Sequence, residues 1–287
     1  MDSAPVLPAF FGFIVVAPDY IGYGESKGVM HPYLNAKVTA SSSIDLLRAG
    51  QTFLKNKNIM SNEQLFLGGY SEGGSAALAS QKMLEEDLAN EFNVTATSAG
   101  AGAYNLSLDL EVTSESILQN FETANIVRPS NLGLIAKAMD HAYGLNIISE
   151  MFQPEYATVV DTIYDATKSG DYIDQQLSFE AGELLKKDFI QRLVNGEEKE
   201  VSAAFKNNDL VDWAPQAPTR LFHGREDDWV NFKHTQTTYD AMLAKKAPSV
   251  ELIECEVAAS LVANHGNCYS PYLYFTYDFF LQYASDL

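Results

Sequence analysis

Gly69-Tyr70-Ser71-Glu72-Gly73, followed by Gly74, sets a serine among glycines where a short apolar stretch, Leu65-Phe66-Leu67-Gly68, gives way to a helical pattern. A serine at the tip of a strand-to-helix turn is held in a strained backbone conformation that pushes its hydroxyl into solvent. Glycines on both sides avoid the clashes that side chains would make there. The N-H groups and dipole of the following helix favour the negative charge that develops on a carbonyl oxygen during acyl transfer, with the N-H of Glu72 the natural oxyanion donor. The same pattern also occurs as an ordinary tight turn, so its chemistry depends on partners elsewhere in the chain.

A serine hydroxyl is a poor nucleophile until a base removes its proton, and the base needs an acid on its second ring nitrogen. In sheets that carry such a serine turn, the acid and then the histidine follow it in the chain, each on a loop after a strand. Of five histidines, His265 in Asn264-His265-Gly266-Asn267 best meets that order, after the last expected strand and before the last helix. His31 and His141 precede the acid candidates, His223 ends a strand and His234 falls inside a helical pattern, so these four read as structural. The acid is sought in His223-Gly224-Arg225-Glu226-Asp227-Asp228-Trp229-Val230, where Asp227 is preferred and Asp228 is its nearest rival. Alone, these acids would read as a solvated turn capping the next helix. Ser71, Asp227 and His265 in the required order, each just after an expected strand, is an arrangement that independent turns rarely produce.

The elements that must position these residues follow from hydrophobic periodicity. Phe11 to Ala17 is a continuous apolar run ending at Pro18, as expected of a strand buried on both faces of a parallel sheet. A helix is expected over Asn35 to Lys55, a strand over Leu65 to Gly68, a helix over Ser75 to Leu88 with Ala76, Ala77, Met83, Leu84 and Leu88 on one face, and a strand over Val94 to Gly102. From about Asp109 to Asp212 the pattern is helical, punctuated by Pro129, Pro154, Ser169-Gly170 and Asn195-Gly196. Alternation resumes with strand Thr219 to Phe222, helix Phe232 to Leu243, strand Val250 to Ile253 and a final aromatic-rich helix from about Ser270 to Tyr283. The expected organisation is an α/β core over 1-108 and 213-287, sharing one mostly parallel sheet, with a helical cap inserted at 109-212.

Composition narrows the function classes. The chain has 287 residues, 46% apolar and 20% charged, which suits a globular core and argues against disorder. Its formal net charge of −19 repels phosphate backbones and anionic lipid heads, so nucleic acid is not an expected partner. The apolar run from Val6 to Ala17 is interrupted by Pro8 and Gly12 and is shorter than the roughly 20 residues a bilayer span needs, so no stable membrane insertion is expected. No basic residue precedes that run and no small-residue cleavage pattern follows it, so it does not read as a signal peptide. Cys255 and Cys268 flank His265 and read either as one local disulfide or as two buried thiols. Neither His-Glu-x-x-His nor paired Cys-x-x-Cys occurs, and no metal or organic cofactor is implied.

These segments together resemble an α/β-hydrolase, and more narrowly the esterases and lipases related to fungal secretory lipase and lipase A. The residues that carry the resemblance are Ala17-Pro18-Asp19-Tyr20-Ile21-Gly22-Tyr23-Gly24-Glu25-Ser26, Gly69 to Gly74, His223 to Val230, and Asn264-His265-Gly266. The resemblance implies Ser71 as nucleophile, His265 as general base and then acid, Asp227 as its orienter, and Asp19, Tyr20 and Tyr70 as substrate-side residues. It implies a small-molecule ester or acylglycerol substrate, and extracellular or periplasmic placement. An amidase on the same scaffold, or a noncatalytic binding protein derived from a hydrolase, are the alternative readings.

One departure from the family pattern carries a structural expectation. The strand ending in Pro-Asp-Tyr is usually the fourth of that fold, and an earlier strand carries the His-Gly loop that completes the oxyanion hole, yet only ten residues precede Phe11. The first strands are therefore expected to be lacking. The strand near Phe11 then needs compensation for its lost neighbour: a truncated chain, a shifted pairing beside Leu65 to Gly68, or pairing with another subunit in a homo-oligomer.

Overall fold

Four strands, β1 (Leu65–Tyr70), β2 (Val94–Gly100), β3 (Thr219–His223) and β4 (Val250–Glu254), pair in parallel in the order β1-β2-β3-β4 in the computed structural model, which describes residues 8–286. The register aligns their carboxyl ends, with Tyr70 opposite Gly100, Gly100 opposite Phe222 and Phe222 opposite Ile253. Loops leaving those ends are therefore brought to one edge of the sheet, where open α/β sheets bind ligands. The described residues form two compact units. The first holds the stretch up to Asp19, Ala36–Tyr104 and the chain from Leu210 on, and the second holds Tyr20–Asn35 and Asn105–Asp209.

In the first unit, α1 (Ala36–Lys57) packs on α2 (Glu72–Asp87), which lies against β1 and β2. The sequence pattern implies one apolar face for α2, but every residue from Gly74 to Gln81 is buried. Glycine, alanine and serine over most of that stretch let the helix sit close to both the sheet and α1, so periodicity understates its burial.

The second unit is helical, built from α3 (Leu106–Gln119), α4 (Pro129–Tyr143), α5 (Ile147–Met151), α6 (Pro154–Ile163), α7 (Gly170–Asp174), α8 (Ala181–Leu184), α9 (Lys187–Val194) and α10 (Lys199–Lys206). It has its own apolar interior, including Met139, Phe152, Val160, Leu184 and Phe189. Asp174 is buried there, accepting the Ser130 N-H at 2.8 Å and pairing with Arg128 at 3.3 Å. The loop Tyr20–Asn35 belongs to this unit and is tied by its own bonds: the Gly22 N-H donates to Ser26 Oγ at 3.0 Å, and the His31 ring bonds the Ile21 carbonyl at 2.7 Å.

The first unit closes with α11 (Lys233–Ala244) against β3 and β4 and α12 (Tyr269–Leu281) against β1, β2 and β3. Alternation along β3 separates the two faces. Thr219 and Leu221 look toward α2 and α11, with the Thr219 hydroxyl bonded to Gln81, while Arg220 and Phe222 look toward α12. Arg220 is a buried cation made tolerable by Glu251 at 2.7 Å, the Phe275 carbonyl at 2.6 Å and the face of Phe279.

The run Phe11 to Ala17 corrects the sequence expectation. It joins no ladder, and Ile14, Val15 and Val16 are 47%, 37% and 37% exposed. An apolar run becomes a buried strand only where neighbours supply backbone partners and a covering face. Here it is held by side-chain contacts, Phe13 edge-on to Phe66 at 5.3 Å, Phe11 against Tyr277 at 4.1 Å and Val16 against Gly50 of α1, and the shifted pairing beside Leu65 to Gly68 does not form. Val6 and Leu7, which begin the wider apolar stretch, lie outside the described residues.

Candidate active site

Ser71 stands between β1 and α2 with φ 60° and ψ −122°, a left-handed conformation that a non-glycine residue adopts only under constraint. The constraint is a set of backbone bonds. Its N-H donates to the Gly100 carbonyl at 2.8 Å, and its own carbonyl accepts the N-H groups of Gly74 at 2.9 Å and Ser75 at 3.2 Å. The flanking glycines make this turn tight enough: a Cβ on Gly69 would sit 2.0 Å from the Gly73 carbonyl oxygen, and one on Gly74 would sit 2.3 Å from that of Gly100. The turn is also latched from the far end of the chain, because the Tyr272 hydroxyl accepts the Gly69 N-H at 2.7 Å and donates to the Ser98 carbonyl at 2.9 Å. Burial pushes the Tyr272 phenol up to about 12, which keeps its proton in place for that second bond.

Asp227 lies in the turn after β3 with its carboxylate fully buried. One oxygen, Oδ1, accepts the backbone N-H groups of Trp229 at 2.9 Å and Val230 at 2.8 Å. The other, Oδ2, stands 2.7 Å from His265 Nδ1 and 3.2 Å from His223 Nε2. Burial alone would raise this carboxyl, but hydrogen bonds from His223, His265 and the Val230 N-H outweigh it and hold the group well below the usual carboxylate range. Asp228, the rival, is exposed, and its carboxylate faces the His265 backbone N-H at 3.4 Å rather than the ring.

His265 is 5% exposed and is held from several sides. The Tyr70 hydroxyl, one residue before Ser71, donates to the His265 carbonyl at 2.7 Å, and the two rings lie 5.1 Å apart. Burial and the negative charge of Asp227 push the Tyr70 phenol above its ordinary range, so it stays protonated as a donor. Trp229 stacks on the imidazole with ring centres 5.0 Å apart and planes 21° from parallel. Cys255 and Cys268 are joined in a disulfide with Cα atoms 5.9 Å apart, closing the segment that carries His265 between β4 and α12. On the opposite flank a Cβ on Gly224 would meet the Ala263 carbonyl oxygen at 2.1 Å, so the acid turn and the histidine loop touch backbone to backbone.

The structure therefore joins Asp227, His265 and Tyr70 directly, with Ser71 next to Tyr70 in the chain. Glu72 begins α2, where its N-H lies in the first turn. Asp19 is exposed, and Tyr20 belongs to the second unit, where its ring stacks with His31 at 6.1 Å. From its place at a strand end His223 reads as structural, and the sequence gives Trp229 no role, yet both contact the Asp227–His265 pair. Their signal was proximity to Asp227, four residues after His223 and two before Trp229. Among the described residues, no group of three or more His, Cys, Asp or Glu side chains is placed to hold a metal ion, and no helix is long and apolar enough to cross a membrane.

The model of the secretory lipase family matches residues 4–266, and the chain belongs to that family. Among solved structures, it is similar to a mutant form of the rice cell wall degrading esterase LipA from Xanthomonas oryzae, with TM-score 0.80 and 24% identity over 92% of this chain and 70% of that one. A Legionella pneumophila protein of known structure superposes with TM-score 0.82 and 23% identity over 98% and 74% of the two chains. Candida antarctica lipase A in its closed state gives TM-score 0.64 and 16% identity over 89% of this chain and 57% of that one. At such identities these likenesses establish the α/β-hydrolase fold, and the family match establishes a carboxylic ester hydrolase. No curated protein matches the chain.

Proposed function

We propose that this secretory lipase family member cleaves carboxylic esters through an acyl-enzyme formed on Ser71. His265 Nε2 takes the hydroxyl proton as Ser71 Oγ attacks the ester carbonyl, and it delivers that proton to the departing alcohol. Water then repeats the sequence on the acyl-enzyme, releasing the carboxylic acid and restoring the serine. Asp227 holds the imidazole by Nδ1 and stabilises the imidazolium, and the Glu72 N-H supports the oxyanion at the helix start. Tyr70 secures the histidine loop, and Trp229, 48% exposed beside the imidazole, offers the approaching ester an apolar face.

The observation that carries this reading is the 2.7 Å contact between His265 Nδ1 and a fully buried Asp227 carboxylate, one tyrosine hydroxyl away from a serine held at positive φ. Family membership favours release of the enzyme outside the cell. The test is hydrolysis of p-nitrophenyl esters of graded acyl length by wild type and Ser71→Ala, with and without a serine-directed phosphonate. Turnover that vanishes in Ser71→Ala, and phosphonate attached to Ser71, is the expected result. Activity that survives the substitution would refute Ser71 as nucleophile.

A further inference from the structure

His223 is the last residue of β3 and has no exposed surface. Its backbone is fixed by the sheet, its carbonyl accepting the Cys255 N-H at 2.8 Å. Its ring is fixed as well: Nδ1 lies 2.5 Å from the Thr235 hydroxyl, Nε2 lies 2.9 Å from the Val230 carbonyl and 3.2 Å from Asp227 Oδ2, and the ring of Phe232 packs against it at an interplanar angle of 71°. The two groups facing Nε2, a carbonyl and an ionised carboxylate, can only accept, so the ring proton belongs on Nε2, and Nδ1 is left to accept from Thr235. The carboxylate oxygen reached this way is the same Oδ2 that holds His265.

We propose that His223 is a positioning residue for the ester hydrolysis, a second imidazole donor on Asp227 Oδ2 that fixes the carboxylate's rotamer and draws off part of the charge available to His265. This rests on the assignment of Asp227 and His265 above. The turn from Gly224 to Asp227 alone leaves the carboxylate held by two neighbouring backbone N-H groups on Oδ1. The donor from β3 supplies the constraint from the sheet side, across from the histidine loop. The titratable groups facing the carboxylate are His223 from β3, His265 from the loop before α12 and Tyr70 from β1.

A residue that merely fills this site would be replaced by an apolar side chain of similar size at a cost in stability alone. The test compares His223→Leu, which has no donor, with His223→Gln, whose amide can reach Oδ2. The expected result for His223→Leu is a kcat about 10- to 100-fold lower with KM little changed. The acid limb of its kcat/KM profile is expected to move up by about half to one pH unit, because an unshared Oδ2 pulls harder on the imidazolium. His223→Gln should recover most of kcat and return the limb. Equal losses in both variants with an unmoved limb would overturn the proposal.

Should His223→Leu not fold, long-range proton–nitrogen NMR of the wild type labelled at histidine nitrogen decides the matter. A His223 proton on Nε2 is expected, and a proton on Nδ1 would overturn the donor role. That spectrum is independent of turnover, so an enzyme lacking Ser71-dependent activity would fail the esterase reading and leave the His223 contact still decided.

Discussion

Replacing Gly69 by alanine adds one methyl group at the point where β1 and α2 come closest. That Cβ would lie 2.0 Å from the Gly73 carbonyl oxygen, 2.3 Å from its carbon and 2.9 Å from its Cα, all backbone atoms with no side chain to swing aside. Contact at 3.0 Å therefore requires the turn to open by at least about 1 Å. Ser71 stands inside that turn, so the displacement passes to its hydroxyl, and misplacing a reacting group by about 1 Å costs on the order of 10²-fold in rate. Overpacking of this kind costs about 1–3 kcal/mol of stability, which for a chain this long lowers Tm by only a few degrees. The assay is p-nitrophenyl ester turnover normalised by the burst of the first acylation, which counts competent sites, alongside a thermal melt. Gly266→Ala serves as control, since a Cβ there meets nothing within 4 Å although His265 is its neighbour. A folded Gly69→Ala enzyme with wild-type kcat per competent site would refute the claim that this glycine sets the serine's position.

Asp227→Asn should keep the fold and lose on the order of 10⁴-fold in kcat, measured by the same ester assay, because the amide cannot hold the imidazole in the required tautomer. Asp227 is depressed in the folded state, so its stabilising contribution is complete above the ordinary carboxylate value near 3.9 and disappears as pH falls toward its lower folded value. Melts of wild type and Asp227→Asn should accordingly differ by a constant amount from pH 8 to about 5 and converge in strong acid. Reducing the Cys255–Cys268 bridge, which closes a segment with a sequence separation of 13, should cost about 3 kcal/mol of stability, seen as a lowered melt that returns on reoxidation. Tyr70→Phe removes the 2.7 Å bond to the His265 carbonyl and should lower kcat about 2- to 10-fold with KM little changed, as steady-state kinetics would show.

Much of this site was legible because it depends on order and punctuation. Gly69, Gly73 and Gly74 mark the turn, and Asp227 and His265 follow strands whose apolar cores are plain, so the pattern itself assigns the three loops to one sheet edge. The choice between Asp227 and Asp228 was less secure, since adjacent aspartates differ only in which one the turn points inward. The role of Tyr70 was hidden because it depends on a contact across the sheet edge that no periodicity encodes, and that of His223 because a spacing of four residues from Asp227 does not say which way the ring turns. The Phe11–Ala17 run was misread for a related reason: hydrophobicity records a preference for cover, whereas a strand also needs a neighbour with free backbone groups. The disulfide stayed open in the sequence because pairing depends on how closely β4 and α12 bring the two Cα atoms together.

The bond between Gly69 and Tyr272 joins residues 203 positions apart. During synthesis the serine turn leaves the ribosome long before the tyrosine that latches it, and before the acid and the histidine as well. The backbone around Ser71 is therefore latched only once α12 packs on the sheet and Tyr272 bonds Gly69 and Ser98. Local sequence sets the shape of the serine turn, and closure of the fold from 203 positions away sets its rigidity.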